Sequence, residues 1–497
     1  MKKIKFYSIA TLIVFLGSCS DFGDTNVSPN GSVTPLTSGL LTNALTAIGG
    51  TTANTSTGVV PGLYCQYFAE TLYTDASRYS VQDVNWSGEL AGSVYDLQNI
   101  ININTNEATR AYAALQGSNE NQIAIARIIK AYRFSILTDR YGDMPYFEAL
   151  KENTQPVFDT QEDIYKDIFK ELDEAVKQFD DGALVKGDIL FGSGTTAEQV
   201  LKWRKFANSW RLILALRVSE VDAVLGAAQA NAALNADGGV FKPDLLTNNL
   251  NFDNINIAYP GNAAAFNNPW YGIGADQTVS STMANIVNSM GDDRRFAFGN
   301  AVSGVLTGMD YGLQRQDAID YSANHLTMSK VILSDSYRTQ SGTIQLLTYD
   351  QVALALAEAI ELGWVSGGAV AAETAYADGI KASWLRWNQN SASSLASYMA
   401  RTDVDLTSGI GSRLNKIRLQ RWLSFYPNGN QGWSEWRRTG VPALSPSPAP
   451  VNTSGEIPRR YIYPTAEYGL NGTKLAEAVG RLDNGDTQDS HVWWDNN

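Results

Sequence analysis

The sequence predicts a fold dominated by α-helices: a tetratricopeptide-like scaffold of helical repeats, joined to a large, irregular, loop-rich half that carries the binding site. Three observations predict it. Apolar residues recur with the 3.6-residue period of an amphipathic helix through several long windows. Those windows open on capping residues and close on glycine or proline. Two further stretches, about 223–346 and 424–497, are crowded with Asn, Gly and Asp, carry scattered aromatics and show no period.

The N-terminus comes first. Lys2, Lys3 and Lys5 precede an apolar run from Ile9 to Leu16, interrupted only by Thr11. The run is shorter than the about 20 residues that a membrane-spanning helix needs. A basic start, a short apolar core and small residues before a break mark a secretory leader. Here the break reads Leu16-Gly-Ser-Cys19, the pattern cut by signal peptidase II, so residues 1–18 are the predicted lipoprotein signal peptide and Cys19 the predicted lipid-attachment site. The alternative is an ordinary leader with an incidental cysteine. Two or three acyl chains hold a protein at a membrane where one barely does. Residues 19–40, rich in Asp, Asn, Ser, Thr, Gly and Pro, read as a tether to a body spanning 41–497.

Helical patterns fill about 90–220 and 348–390. Gln122 to Asp139 sets Ile125, Ile128, Ile129, Tyr132 and Ile136 on one stripe and stops before Gly142 and Pro145. Thr160-Gln-Glu-Asp163 is a predicted capping box, and the helix it opens lines up Ile164, Ile168, Leu172, Ala175, Val176 and Phe179. Trp203 to Val218 continues the pattern. Thr348-Tyr-Asp-Gln351 caps a helix running to Leu362 and Gly363, and a second follows from about Ala369 to Trp387. Small residues at Ala355, Ala359, Ala375 and Ala382 let two antiparallel helices approach closely, the logic of a tetratricopeptide unit. Long aperiodic stretches inside a compact fold are usually binding elements, which places the predicted site on the loops of the two irregular regions.

Composition narrows the function. Loss of residues 1–18 removes three lysines and no acid, moving the formal charge from −13 to −16. An acidic surface repels phosphate backbones and argues against nucleic acid as a partner. Cys65 alone remains beside Cys19, so disulfides cannot carry the stability; a large core must. The chain has 12 Trp, 23 Tyr and 17 Phe, enough both to fill that core and to leave rings for stacking on a ligand.

Catalytic constellations are hard to assemble. His325 and His491 are the only histidines, and no nucleophile elbow, metal-binding helix motif, Cys-x-x-Cys pair, phosphate loop or twelve-residue calcium loop appears. Neither a cofactor nor a metal is predicted. A carboxylate pair of the glycosidase kind stays open, because its spacing in space is invisible in sequence. Asp292-Asp293-Arg294-Arg295 reads better as a helix-end ion-pair group. Arg437-Arg438, after Trp433 and Trp436, offers either an anion site or pairing to internal carboxylates. The predicted ligand contacts are Asn267, Asn268, Trp270 and Tyr271, two amides and two rings in one loop, with Trp86 as a second choice.

Several segments in order resemble one family. After the lipobox come Asp24-Thr-Asn26-Val-Ser-Pro29, Lys130-Ala-Tyr-Arg-Phe134 and Leu137-Thr-Asp-Arg-Tyr-Gly-Asp-Met-Pro-Tyr146. Phe158-Asp-Thr-Gln-Glu-Asp-Ile-Tyr165, Trp203-Arg-Lys-Phe-Ala-Asn-Ser-Trp-Arg-Leu212 and Leu356-Ala-Glu-Ala359 follow. Gln420-Arg-Trp422, Trp436-Arg-Arg-Thr-Gly-Val-Pro442 and Arg459-Arg-Tyr-Ile-Tyr-Pro464 complete the series. The set resembles the SusD/RagB family of nutrient-binding outer-membrane lipoproteins of Bacteroidetes, over essentially the whole mature chain. The resemblance implies degenerate tetratricopeptide-like units and a glycan or oligopeptide ligand. It also implies a SusC-like TonB-dependent transporter as partner and an outer-membrane location facing the cell exterior, with Asp21 and Asp24 standing where the family's acidic surface-export signal falls. It implies binding without catalysis. A lipid-anchored glycan-degrading enzyme and a surface adhesin are the competing readings.

Overall fold

Local capping explains where the scaffold helices begin. In the computed structural model, residues 34–244, 251–260 and 267–497 are described, so the leader and Cys19 lie outside the described residues. The scaffold helices are α1 Thr37–Ala53, α2 Tyr95–Thr105, α3 Asn119–Tyr141, α4 Gln161–Gln178 and α5 Thr196–Arg217, followed by α6 Ala223–Asn235. They continue with α7 Tyr349–Glu361, α8 Gly368–Arg386, α9 Arg413–Phe425 and α10 Gly429–Thr439. Ser118 Oγ accepts from the Asn121 amide to start α3, and Gly142, at φ +79°, ends it in a conformation that favours glycine. Thr160 Oγ1 accepts from the Asp163 amide at the start of α4. Thr195 and Glu198 satisfy each other's amides and open α5 seven residues ahead of Trp203, where the apolar pattern begins.

The α7–α8 hairpin shows why small residues recur. Gly363 turns at φ +75°, and a Cβ on Gly379 would lie 2.6 Å from Leu354 Cγ, so the two helices close on one another only with glycine there. Ala355, Ala359 and Ala382 are buried along the same seam. Helix α3 packs on α2 and α4, α5 on α6, and α7 on α9. One hydrophobic core runs from Leu41 to Trp494, with a smaller cluster of Leu354, Tyr376, Ile380, Trp384, Tyr398 and Ile417 under α7–α9. This is the helix-dominated architecture that the periodicity predicts.

Three expectations are corrected. Helix α1 begins at Thr37, inside the 19–40 segment read as tether. Helix α6 occupies the start of the 223–346 region; its Ala-rich sequence, broken by Gln and Asn, shows little apolar contrast. The 424–497 region is not a free loop system: every residue of α10 is buried, as are Tyr461, Tyr463 and Trp494. The polar side of α10 meets buried ion-pair partners instead of solvent, so its apolar–polar contrast marks no exposed face.

Those partners form a charged network. Arg438 contacts Glu358 of α7 at 2.9 Å and Glu435 at 2.6 Å, and Arg421 of α9 lies 2.9 Å from both carboxylates. Burial pushes the Glu435 and Glu358 carboxyls up, but the two guanidiniums outweigh it, and both end below the usual carboxylate range. Arg437 instead lies 3.6 Å from the Trp433 ring centroid and 4.6 Å from that of Trp494, and donates to the carbonyls of Asp139 and Arg459. Of the two outcomes open for Arg437-Arg438, internal pairing is the one found, and for Arg438 alone. Asp292 and Arg294, both fully buried, pair at 2.6 Å, and Arg294 also donates to Ser383 and Gln420, so these two belong to the core, while Asp293 and Arg295 pair with each other at 3.1 Å in a half-buried position.

Short ladders tie the irregular half to the helices. The strands of three or more residues are β1 Phe68–Glu70, β2 Asn254–Ala258, β3 Gln277–Val279 and β4 Thr343–Thr348. They pair antiparallel as β1 with β3, Phe68 opposite Val279, and β2 with β4, Ala258 opposite Thr343.

Candidate binding surface

The β1–β3 ladder brings two loops side by side. Beyond it, the Thr71 amide and hydroxyl donate to the carbonyls of Asp276 and Ala275 at 2.9 and 2.8 Å, extending the pairing outward. Loop 71–86 follows from β1, and the turn that holds Tyr271 precedes β3. A third and a fourth segment lock in. Arg78 Nε donates to the Ala449 carbonyl at 2.7 Å, the Ser447 amide donates to Tyr79 Oη at 2.7 Å, and Ser447 Oγ donates to the Gly312 carbonyl at 2.8 Å. Tyr79 is held at φ +71°, a strained conformation for a residue with a side chain, which its buried ring and this contact sustain.

On this fastened set of loops two tyrosine rings face solvent: Tyr73 is 58% exposed and Tyr271 47%. The Arg315 guanidinium lies 5.4 Å from the Tyr73 centroid, a cation–π contact that restrains the ring. A restrained, exposed ring such as that of Tyr73 suits stacking on the apolar face of a ring-shaped neutral ligand, because little side-chain entropy remains to be lost.

Beneath Tyr73 sits a buried acid. Glu70 Oε2 accepts from the Ser77 amide at 2.8 Å and from its hydroxyl at 2.9 Å, closing the base of the loop. Burial raises its carboxyl from the ordinary 4.5 to about 7, against the lowering effect of the Ser77 hydrogen bonds. The folded state therefore holds this proton more tightly than the unfolded chain. Stability from Glu70 is present in full below about pH 4.5 and is lost as pH rises to about 7. Glu70→Gln keeps an acceptor for Ser77 and should remove that part of the slope, as read by denaturation midpoints at pH 4.5, 6 and 7.5; an unchanged slope would contradict this account.

The predicted site residues separate in space. Pro269–Gly272 forms a short 3₁₀ turn capped by Asn268, whose Oδ1 accepts from the Trp270 amide at 3.1 Å while its Nδ2 donates to the Thr339 carbonyl at 3.2 Å. Asn268 is thus buried and spent on the backbone, and Asn267 Oδ1 is buried without a partner among the described residues. Trp270, 3% exposed, packs near Phe68 with centroids 6.3 Å apart; as an open stacking platform it is corrected to a core residue, because the turn sends its neighbour Tyr271 outward instead. Trp86 is corrected likewise. It is 2% exposed, lies among Tyr141, Phe158 and Tyr463, and donates from Nε1 to Glu467 at 3.1 Å. Tyr73 and Arg315 were missed. The run Thr71-Leu-Tyr-Thr-Asp-Ala-Ser-Arg78 has no apolar period, the one local signal that could have found Tyr73.

Among the described residues no helix is long and apolar enough to cross a membrane. No curated protein matches the chain significantly. Solved structures do. One titled as a chitin-binding protein is 26% identical, with a TM-score of 0.76, covering 93% of this chain and 100% of its own. A chitin-binding SusD homologue from Flavobacterium johnsoniae is 22% identical with a TM-score of 0.74, over 93% of this chain and 99% of its own. A SusD homologue from Bacteroides uniformis is 23% identical with a TM-score of 0.74, over 92% and 99%. The model of the SusD-like family, described as starch-binding and associating with the outer membrane, matches residues 29–464. With that match across most of its length, and with the same fold around it, the chain belongs to the SusD-like family.

Proposed function

We infer that this protein is a cell-surface nutrient-binding lipoprotein, anchored in the outer membrane through Cys19, that captures a glycan and delivers it unaltered to a SusC-like TonB-dependent transporter. The observation that carries the binding step is the pair of solvent-facing rings, Tyr73 and Tyr271, on loops fastened to a rigid helical body. Family membership supports the glycan over an oligopeptide, and the two chitin-binding relatives, alike over nearly their whole length, support a neutral polysaccharide. Asp292, Glu358 and Glu435, buried in the core, are each held by an arginine, which ill suits these three to acid–base chemistry.

Calorimetry with chito- and malto-oligosaccharides tests this reading. Tyr73→Ala and Tyr271→Ala should each cost about 1–2 kcal/mol, roughly 5- to 30-fold in Kd, without changing the melting temperature. Affinity for the bound oligosaccharide that is the same in wild type and both variants would remove the tyrosine surface from the account.

A further inference from the structure

Behind the Pro269–Gly272 turn lies a cavity of about 200 Å³. The rings of Trp270, Tyr337, Trp387 and Phe425 line it, and it reaches solvent beside the exposed residues Ser336 and Thr343. Every described side chain lining it is uncharged. Its inner wall holds hydrogen-bond donors without acceptors. Trp387 is 3% exposed, and its Nε1 has no partner among the described residues. Asn428, 7% exposed, uses Oδ1 to accept from the Gln431 amide at the start of α10, and its Nδ2 has no partner among the described residues. Leaving the buried Trp387 donor unpaired costs about 1–3 kcal/mol, so an occupant that brings an acceptor recovers that loss.

The cavity is also built to keep its shape. The Tyr337 hydroxyl donates to the Trp387 carbonyl, and the two rings meet edge to face at 5.0 Å. Asn268 ties the 337–342 segment through the Thr339 carbonyl. Gly342 lies so close that a Cβ there would meet Asn268 Nδ2 at 2.5 Å. Asn268, predicted from sequence to touch ligand, instead positions the rim.

We propose that this cavity is a second binding site, distinct from the Tyr73–Tyr271 surface, for a single neutral sugar ring, either free or at the end of a glycan. Aromatic walls take the apolar face of such a ring. The Trp387 and Asn428 donors take its hydroxyl or carbonyl oxygens, and the absence of charge in the lining disfavours acids and amines. The volume falls below the about 300–1,000 Å³ of sites for drug-sized ligands, which limits the occupant to one ring.

The test uses the full mature protein, titrated with glucose and N-acetylglucosamine and with their oligomers, by calorimetry and tryptophan fluorescence. Saturable binding of a monosaccharide is expected for a free ring. For a terminal unit, only the oligomers bind through this site. In either case Trp387→Phe, which keeps the ring and removes the N–H, should weaken binding at least tenfold. Asn428→Asp, which keeps the helix-capping oxygen and removes the donor, should do the same. Ser336→Trp, an exposed change at the mouth, should abolish it, and serves should either buried variant fail to fold. Tyr73→Ala and Tyr271→Ala should leave the cavity's share of binding unchanged, so failure here and failure of the surface site are read apart. The proposal is overturned if no sugar binding responds to Ser336→Trp in the folded protein, or if a sugar-soaked crystal shows only water in the cavity.

Discussion

Replacing Arg438 by alanine is expected to destabilise the protein by about 3–5 kcal/mol, the cost of leaving buried charge without its partner. Arg438 grips both oxygens of Glu358 at 2.9 Å and one of Glu435 at 2.6 Å, and all three side chains are fully buried. Without it two carboxylates remain beside Arg421, which already contacts both. Coulomb repulsion between them then grows in a medium that screens poorly. Three helices meet at this network, α7 through Glu358, α9 through Arg421 and α10 through Glu435 and Arg438, so the loss is not confined to one turn. Arg418→Ala is the contrast. Its guanidinium reaches Glu358 at 3.0 Å from a position 11% exposed and shares a partly exposed Glu220, and about 1 kcal/mol is expected. Denaturant unfolding at pH 7 separates the two cases, and a loss for Arg438→Ala no larger than that for Arg418→Ala would contradict the role assigned to the network.

Gly429→Ala should be nearly as damaging, by about 3 kcal/mol, for a different reason. At the first turn of α10 a Cβ would stand 2.3 Å from the Gly58 carbonyl oxygen, 2.3 Å from the Gly62 amide nitrogen and 2.7 Å from Gly62 Cα. These are backbone atoms, with no flexible side chain to move aside, so α10 must retreat from the 58–64 segment. That segment leads directly into β1 and the Tyr73 loop, so the shift should also weaken glycan binding. Gly440→Ala, at φ +65° with open space around it, tests backbone strain alone and should cost about 1 kcal/mol. Melting temperatures that rank the two alanine variants equally would mean that close approach at Gly429 is not limiting.

How much of this was legible depended on whether a residue's partners were local. Helices α3, α4, α7 and α8 could be read because their stripes and caps lie within one or two turns: Thr160 with Asp163, Thr348 with Gln351. The Gly142 stop and the small residues of the α7–α8 seam were legible for the same reason. Helix α10 was not, because its Trp, Glu and Arg residues are matched by Glu358, Arg421 and Trp494, remote in sequence. The binding surface suffered most. Trp86 and Trp270 look in sequence like good platforms; Tyr141, Phe158, Tyr463 and Glu467 enclose the first, and the 3₁₀ turn faces the second inward. Of the two rings predicted in that loop only Tyr271 is exposed, and Tyr73 joins it through a β-ladder between residues some 200 positions apart.

The central claim is that this molecule grips a neutral glycan and releases it chemically unchanged. Native mass spectrometry of the purified mature protein, incubated with chito- or malto-oligosaccharides, measures both halves at once. The account predicts a complex heavier than the free protein by the mass of one or two intact oligosaccharides, with no shorter sugars in solution after prolonged incubation. A spectrum of free protein alone across both sugar series, or the appearance of cleaved products, would contradict it.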